Sequence, residues 1–201
     1  PWQSVCLTCE KTIQDCLKKI GNKDWNTGVN TGFILSFKYP AGPEWKINIG
    51  DGTNRVDINT GGLIADNQWH SLCATFDRSG YLKMYEDGVL IDSADISGIG
   101  NITSSTGLFF GADANNAYHF SGSISEVRCW NTVLDESTIQ AWHCSSVDST
   151  HLNYANLIGF WKLNEGGATT VATDYSTGTN DGVISGATWE SNDSVMVYDY
   201  S

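Results

Sequence analysis

Short alternating stretches separated by glycine-rich turns recur along this chain, and that rhythm restricts its fold more than any other feature. The clearest case is QWHSLCATFDRSGYLKMYEDGVLID, residues 68–92. Successive strand side chains alternate, so Leu72, Ala74 and Phe76 share one face and Ser71, Cys73 and Thr75 the other. RSG then turns the chain into YLKMYE, and Asp87–Gly88 is a two-residue hairpin signal leading into VLID. Similar runs are SVCLTC (4–9), FILSFK (33–38), EWKINIGDG (44–52), NRVDINTGG (54–62), GLFFGA (107–112), SGSISEVRCW (121–130), LIGFWKLNE (157–165) and SVMVYDY (194–200). LDESTIQAW (134–142) has an acidic start and a helical spacing instead. Many short strands with regular turns predict an all-β, antiparallel two-sheet jelly-roll sandwich with one short helix near 135–142. No linker or solenoid period interrupts the pattern, so the expectation is one domain over 1–201.

The charge narrows the partners. Eleven basic residues face 23 acidic ones, a formal net charge of −12. Such a surface repels phosphate backbones and anionic membranes, so neither nucleic acid nor membrane insertion is expected. It favours cations, calcium among them. No apolar run approaches the ~20 residues of a membrane-spanning helix. The chain opens PWQSVC inside a strand-like run, and a mature chain or a fragment is expected. Six cysteines, Cys6, Cys9, Cys16, Cys73, Cys129 and Cys144, show no paired zinc spacing. An even count without metal spacing points to disulfides and an oxidising, extracellular setting. Asn101 (NIT) and Asn192 (NDS) are glycosylation sequons.

Three stretches together resemble the laminin-G-like, concanavalin-A-like jelly roll. They are QWHSLCATFDRSGYLKMYEDGVLI, GLFFGADANNAYHFSGSISEVRCWNTVLDESTIQ and LIGFWKLNEGGATTVATDYSTGTNDGVISGATW. GNKDWNTG also resembles secreted bacterial members. The resemblance implies the sandwich fold and a recognition role. SVCLT and LCATF resemble the two cysteine-bearing strands of pentraxins, which implies a Cys6–Cys73 disulfide. The other four cysteines allow three pairings, of which the local pairs Cys9–Cys16 and Cys129–Cys144 are expected. In the family the W-x-L-N-E-G block normally comes first; here it comes last. Residues 158–201 are therefore expected either to close this sandwich or to pack against a neighbouring subunit by strand addition.

Ligand-binding residues are expected on two loops. GADANNAYHFSG (111–122) resembles a shortened pentraxin calcium loop, which implies Asp113, Asn115 and Asn116 as oxygen donors. Trp25 in NKDWNTG, and Tyr118 with His119, are the aromatics suited to stacking on a sugar. DYSTGTNDG (174–182) sets oxygens of Asp174, Ser176 and Asn180 at alternate positions, as calcium loops do. Trp69, Trp130 and Trp161 are expected to be structural. A sandwich glucanase would carry paired carboxylates on one strand in an E-x-D-x-(x)-E pattern, and a retaining glycosidase needs them ~5 Å apart. The sequence has neither that pattern nor G-x-S-x-G. Glu126 is expected to be an ordinary strand residue paired with Arg128 or a neighbour. The functional expectation is a secreted, non-catalytic module that recognises glycan or an extracellular protein with calcium assistance. The rivals are a structural subunit of an extracellular filament or other homo-oligomer, and a glycoside hydrolase.

Overall fold

The computed structural model describes residues 3–10, 19–23, 30–37, 44–59, 68–115, 119–120 and 122–189, with side chains for all of these except 7–10 and 19. Cys16, Trp25, Asn116, Tyr118, Asn192 and the expected strand at 194–200 lie outside the described residues, as does the expected Cys9–Cys16 pair.

The strands are β1 (Ser4–Glu10), β2 (Lys19–Gly21), β3 (Gly32–Phe37), β4 (Trp45–Gly50), β5 (Arg55–Ile58), β6 (Trp69–Phe76), β7 (Tyr81–Glu86), β8 (Val89–Asp95), β9 (Phe109–Phe110), β10 (Ser123–Trp130), β11 (Leu157–Trp161), β12 (Val171–Ala172) and β13 (Gly182–Val183). One sheet runs β11-β10-β1-β6-β7-β8 and the other β5-β4-β3-β2-β9, with every pairing antiparallel. β12 and β13 form a separate small ribbon. Alternation decides what lies between the sheets. Phe33, Leu35, Phe37, Trp45, Ile47 and Ile49 from one sheet meet Leu72, Ala74, Phe76, Leu82, Met84 and Val127 from the other. Burying each such side chain contributes roughly 1.5–3 kcal/mol.

The helix α1 (Glu136–Trp142) starts where its sequence says it should. Asp135 is the N-cap, and its carboxylate accepts the Thr138 backbone N–H at 2.7 Å. The Ser137 hydroxyl and the Thr138 amide hold that carboxyl below its ordinary pKa. At the β7–β8 turn, Asp87 (φ 49°) and Gly88 (φ 78°) both take left-handed conformations, as a tight hairpin of this kind requires.

The face bearing Ser71, Cys73 and Thr75 is not a solvent face. Helix α1 and the chain after it cover it, so Cys6, Cys73, Tyr85, Trp130, Leu134, Ile139 and Leu157 form a second apolar cluster. Buried Ser4 belongs to the same face: its hydroxyl donates to the Thr132 carbonyl and accepts from the Leu134 amide, each at 2.9 Å. Cys6 and Cys73 stand directly opposite across β1 and β6 and are joined in a disulfide, with their Cα atoms 4.0 Å apart.

The expected Cys129–Cys144 bond does not form; both are free thiols. Cys129 points into the inter-sheet core with Val127, while Cys144 follows α1 on the opposite side of that sheet. Closeness in sequence placed them on two sides of one layer. Burial and then the Asp174 carboxylate push the Cys129 thiol far above its ordinary pKa. Burial and then Asp87 raise Cys144 by less. Iodoacetamide on the native protein is expected to label Cys144 slowly and to spare Cys129, with both labelled in denaturant. Peptide mass spectrometry reads this directly, and a linked Cys129–Cys144 peptide would refute it.

β11 is the outermost strand of this chain's own six-stranded sheet. Its open edge is occupied by the chain's own residues: Trp161 bridges Asp174, and the Tyr175 amide donates to the Phe160 carbonyl at 2.7 Å. An edge covered this way is not a ready template for another strand. Among the described residues no helix is long and apolar enough to cross a membrane.

Candidate ligand-binding site

Part of the 111–122 loop, Ala114–Asn115, meets residues flanking the Trp25 stretch in one polar cleft of about 410 Å³, and the 174–182 loop takes no part in it. One wall is the β2–β3 connection, contributing Asn22, Lys23, Asn30 and Thr31; the others are the 103–106 run and Ala114–Asn115. Nearly every lining side chain is an amide or a hydroxyl.

Local geometry explains how this wall is built. The Asn22 carboxamide oxygen accepts the Phe33 amide at 2.9 Å, and the Asn22 amide donates to the Phe33 carbonyl at 3.1 Å. Gly32 sits against it at φ +127°, where a Cβ would lie 2.4 Å from Asn22 Oδ1. Glycine is therefore required both by conformation and by space. The opposing loop is pinched at its base, where the Phe120 amide donates to the Gly111 carbonyl at 2.6 Å. Asp113, only 2% exposed, lies inside the turn, and its Oδ1 accepts the Asn115 amide at 3.0 Å.

The expected ligand residues thus separate. Asn115 lines the cleft, and Asp113 braces the turn beside it. Trp25 falls in 24–29, between Lys23 and Asn30, which both line the cleft; Asn116 and Tyr118 follow Asn115 in the chain. His119 is exposed and borders a different feature. The run Thr103-Ser104-Ser105-Thr106 was missed, although four consecutive hydroxyls in NITSSTG were a legible signal for a polyol-binding surface. Asn101 is exposed, with its side chain accepting the Thr103 amide at 2.9 Å.

The larger feature is a groove of about 1140 Å³ between β9, the start of β10 and the 163–189 segment. Its floor includes Phe110, Phe120, Ile124 and Leu163, which all pack against the inter-sheet core. Phe110 meets Trp161 edge-on at 5.0 Å. This groove is an open flank of the core, whose apolar floor is bordered by polar side chains such as Ser125, Glu126, Arg128 and Ser146. Along its lining Glu126 and Arg128 form a largely buried ion pair at 2.6 Å, one of the partners expected from the sequence. Arg128 also donates to the Trp142 and Ser145 carbonyls, and Ser146 donates to Glu126. Both Glu126 side-chain oxygens are thereby committed to structure. Glu126 itself sits at φ 55° near a register shift in β10, a local cost of about 1–2 kcal/mol that its partners offset.

Asp174 is a hydrogen-bond hub rather than an open carboxylate. Oδ1 accepts the Phe160 and Ser176 amides at 2.9 Å, and Oδ2 accepts the Asn180 backbone and side-chain N–H groups at 3.1 and 3.0 Å. The Ser176 hydroxyl accepts the Gly178 amide. Burial works to raise the Asp174 pKa, but the amides of Phe160, Ser176 and Asn180 outweigh it and the carboxyl lies below its ordinary value. N–H dipoles aimed at both oxygens favour the charged form of this carboxylate.

The sequence profile of the concanavalin A-like lectin/glucanases superfamily matches residues 19–140. The botulinum neurotoxin type E of Clostridium butyricum is 30% identical over 141 residues, 68% of this chain; the chain spans about one tenth of that toxin's length (10%). A Bacteroides ovatus protein named for carbohydrate binding superposes with a TM-score of 0.57 at 19% identity, covering 90% of this chain and 58% of its own. The CBM40 module of a Ruminococcus gnavus sialidase, solved with α2,3-sialyllactose, superposes with a TM-score of 0.55 at 16% identity, covering 70% and 81%. At these identities the structures speak for the fold, while the profile covers well over half of the chain. The chain is a member of the concanavalin A-like lectin/glucanases superfamily.

Proposed function

We propose that this protein is a secreted, non-catalytic module that recognises glycan through the polar cleft. The observation that carries the reading is the convergence of Asn22, Asn30, Thr31, the 103–106 hydroxyls and Asn115 on one opening of monosaccharide-to-disaccharide scale. Amides and hydroxyls match the donor and acceptor pattern of sugar hydroxyls. The names of the Bacteroides ovatus and Ruminococcus gnavus structures agree in kind. The Cys6–Cys73 bond supports an oxidising compartment. Calcium is the cofactor proposed beside the same cleft. Asp113 and Asn115, with Asn116 next in the chain, carry hard oxygen donors, and a bound ion there would ligate adjacent sugar hydroxyls.

The test is a glycan array probed with and without calcium, followed by titration of any hit. Replacing exposed Asn115 by alanine is expected to weaken binding by up to ~10-fold, the cost of a lost ligand hydrogen bond, with the fold unchanged by circular dichroism. An array without hits in either condition, or wild-type affinity in both Asn115→Ala and Thr106→Val, would discard the cleft as the binding site.

A further inference from the structure

We infer that His70, Glu86 and Asp87 form a transition-metal site, of the zinc class, where the β6–β7 pair ends. Strand register brings the three together. Leu72 on β6 faces Glu86 on β7, so His70, two residues earlier, lies on the same side as Glu86. Asp87 follows Glu86 in the turn, and its amide donates to the Ser71 carbonyl at 2.8 Å. One ligand atom from each residue lies within 4.8 Å of the other two. Ligands at the usual ~2.1 Å zinc distances stand about 3.4 Å apart in a tetrahedron. His70 Nδ1 and Asp87 Oδ2 are already 2.8 Å apart, and half-exposed Asp87 has room to adjust.

What separates this cluster from a chance meeting of charges is the set of groups behind it. The Trp45 indole N–H donates to Glu86 Oε2 at 2.7 Å, and the Ser71 amide donates to Asp87 Oδ1 at 2.8 Å. Each carboxylate is held on one oxygen by a donor from outside the cluster. Such orienting partners behind ligating carboxylates are a regular feature of protein metal sites. Trp45 is fully buried and belongs to the other sheet, so Glu86 is fixed to the core and not to solvent. One imidazole nitrogen and two carboxylate oxygens suit zinc, manganese or nickel, with water completing the shell, and the nitrogen disfavours calcium. The site shares no residue with the polar cleft. Its occupancy would join β6, β7 and, through Trp45, β4.

Equilibrium dialysis of the full chain against micromolar Zn²⁺, with metal analysis and competition by a chromophoric chelator, tests this. One zinc per chain is expected, together with a higher melting temperature in zinc than in EDTA. Asp87→Asn and His70→Gln are each expected to weaken binding at least ~10-fold. Asparagine tolerates the left-handed backbone at position 87, so that variant decides the matter if His70→Gln does not fold. Failure of the wild-type chain to bind zinc below millimolar concentration would overturn the inference. So would unchanged zinc affinity in folded Asp87→Asn, or displacement of zinc by millimolar calcium.

Discussion

Replacing both Cys6 and Cys73 by alanine is expected to lower the free energy of unfolding by about 4 kcal/mol. The two residues are 67 apart in sequence, and in the chain-entropy description a loop of that length loses roughly this much freedom in the unfolded state. For a domain of this size the change corresponds to a fall of roughly 8–16 °C in melting temperature. It is a large share of the ~5–15 kcal/mol that folded domains typically possess. The bond also sits in the apolar layer beneath α1, with Tyr85 and Trp130, so its loss loosens the packing of the helix as well. Guanidinium unfolding of the double variant, and of wild-type protein with and without dithiothreitol, measures the effect. Equal midpoints would show that the crosslink contributes nothing, and non-reducing peptide mapping would show whether it is the bond present.

The contrast between this bond and the missing Cys129–Cys144 bond shows what was legible in the sequence. Hairpin and helix signals are local chemistry: Asp87–Gly88 and the Asp135 cap act within a few residues and are where the pattern places them. The Cys6–Cys73 pairing was legible only through resemblance, since it depends on β1 lying beside β6, 67 positions away. Alternation assigned Ser71, Cys73 and Thr75 to one face correctly, but it could not show that this face is buried. That depends on Trp130, Leu134 and Ile139 arriving from far along the chain. The cleft follows the same logic. Each of its loops was visible as an amide-rich turn, while their meeting, and the third wall from 103–106, are products of tertiary folding. The 174–182 loop shows a different limit of side-chain spacing. A carboxylate with alternate polar neighbours is what a calcium loop needs, and equally what a loop closed by its own amides needs. Whether the groups facing the carboxylate are oxygens or N–H donors is set by backbone direction, which side-chain spacing does not encode.

Asp174→Ala is the second large effect expected. The wild-type carboxylate, 9% exposed, accepts four N–H groups. One of these, the Phe160 amide, lies on the edge strand β11, so the side chain substitutes for a neighbouring strand at the sheet's border. Gly178 is drawn so close that a Cβ there would lie 2.9 Å from Asp174 Oδ2 and 2.4 Å from Asn180 Nδ2. Asn180 in turn donates to the Ile158 carbonyl and accepts the Trp161 indole N–H. Alanine strands several donors at once, at a cost of about 3–5 kcal/mol once water reaches some of them. Asp174→Asn preserves shape and one acceptor but turns an NH₂ toward donors, so more than half of that loss is expected to remain. The pH dependence follows from the depressed pKa of the folded carboxyl. The unfolded chain takes up the proton first, so the stabilisation is complete above the ordinary carboxylate pKa and is lost as pH falls through the folded value. Wild-type and Asp174→Ala stabilities should therefore converge on acidification from neutral pH. Chemical denaturation at neutral pH and at a series of acidic pH values gives both numbers. Wild-type stability in Asp174→Asn at neutral pH, or a gap that does not narrow in acid, would remove the charged hub from this account of how the C-terminal segment seals the sheet edge.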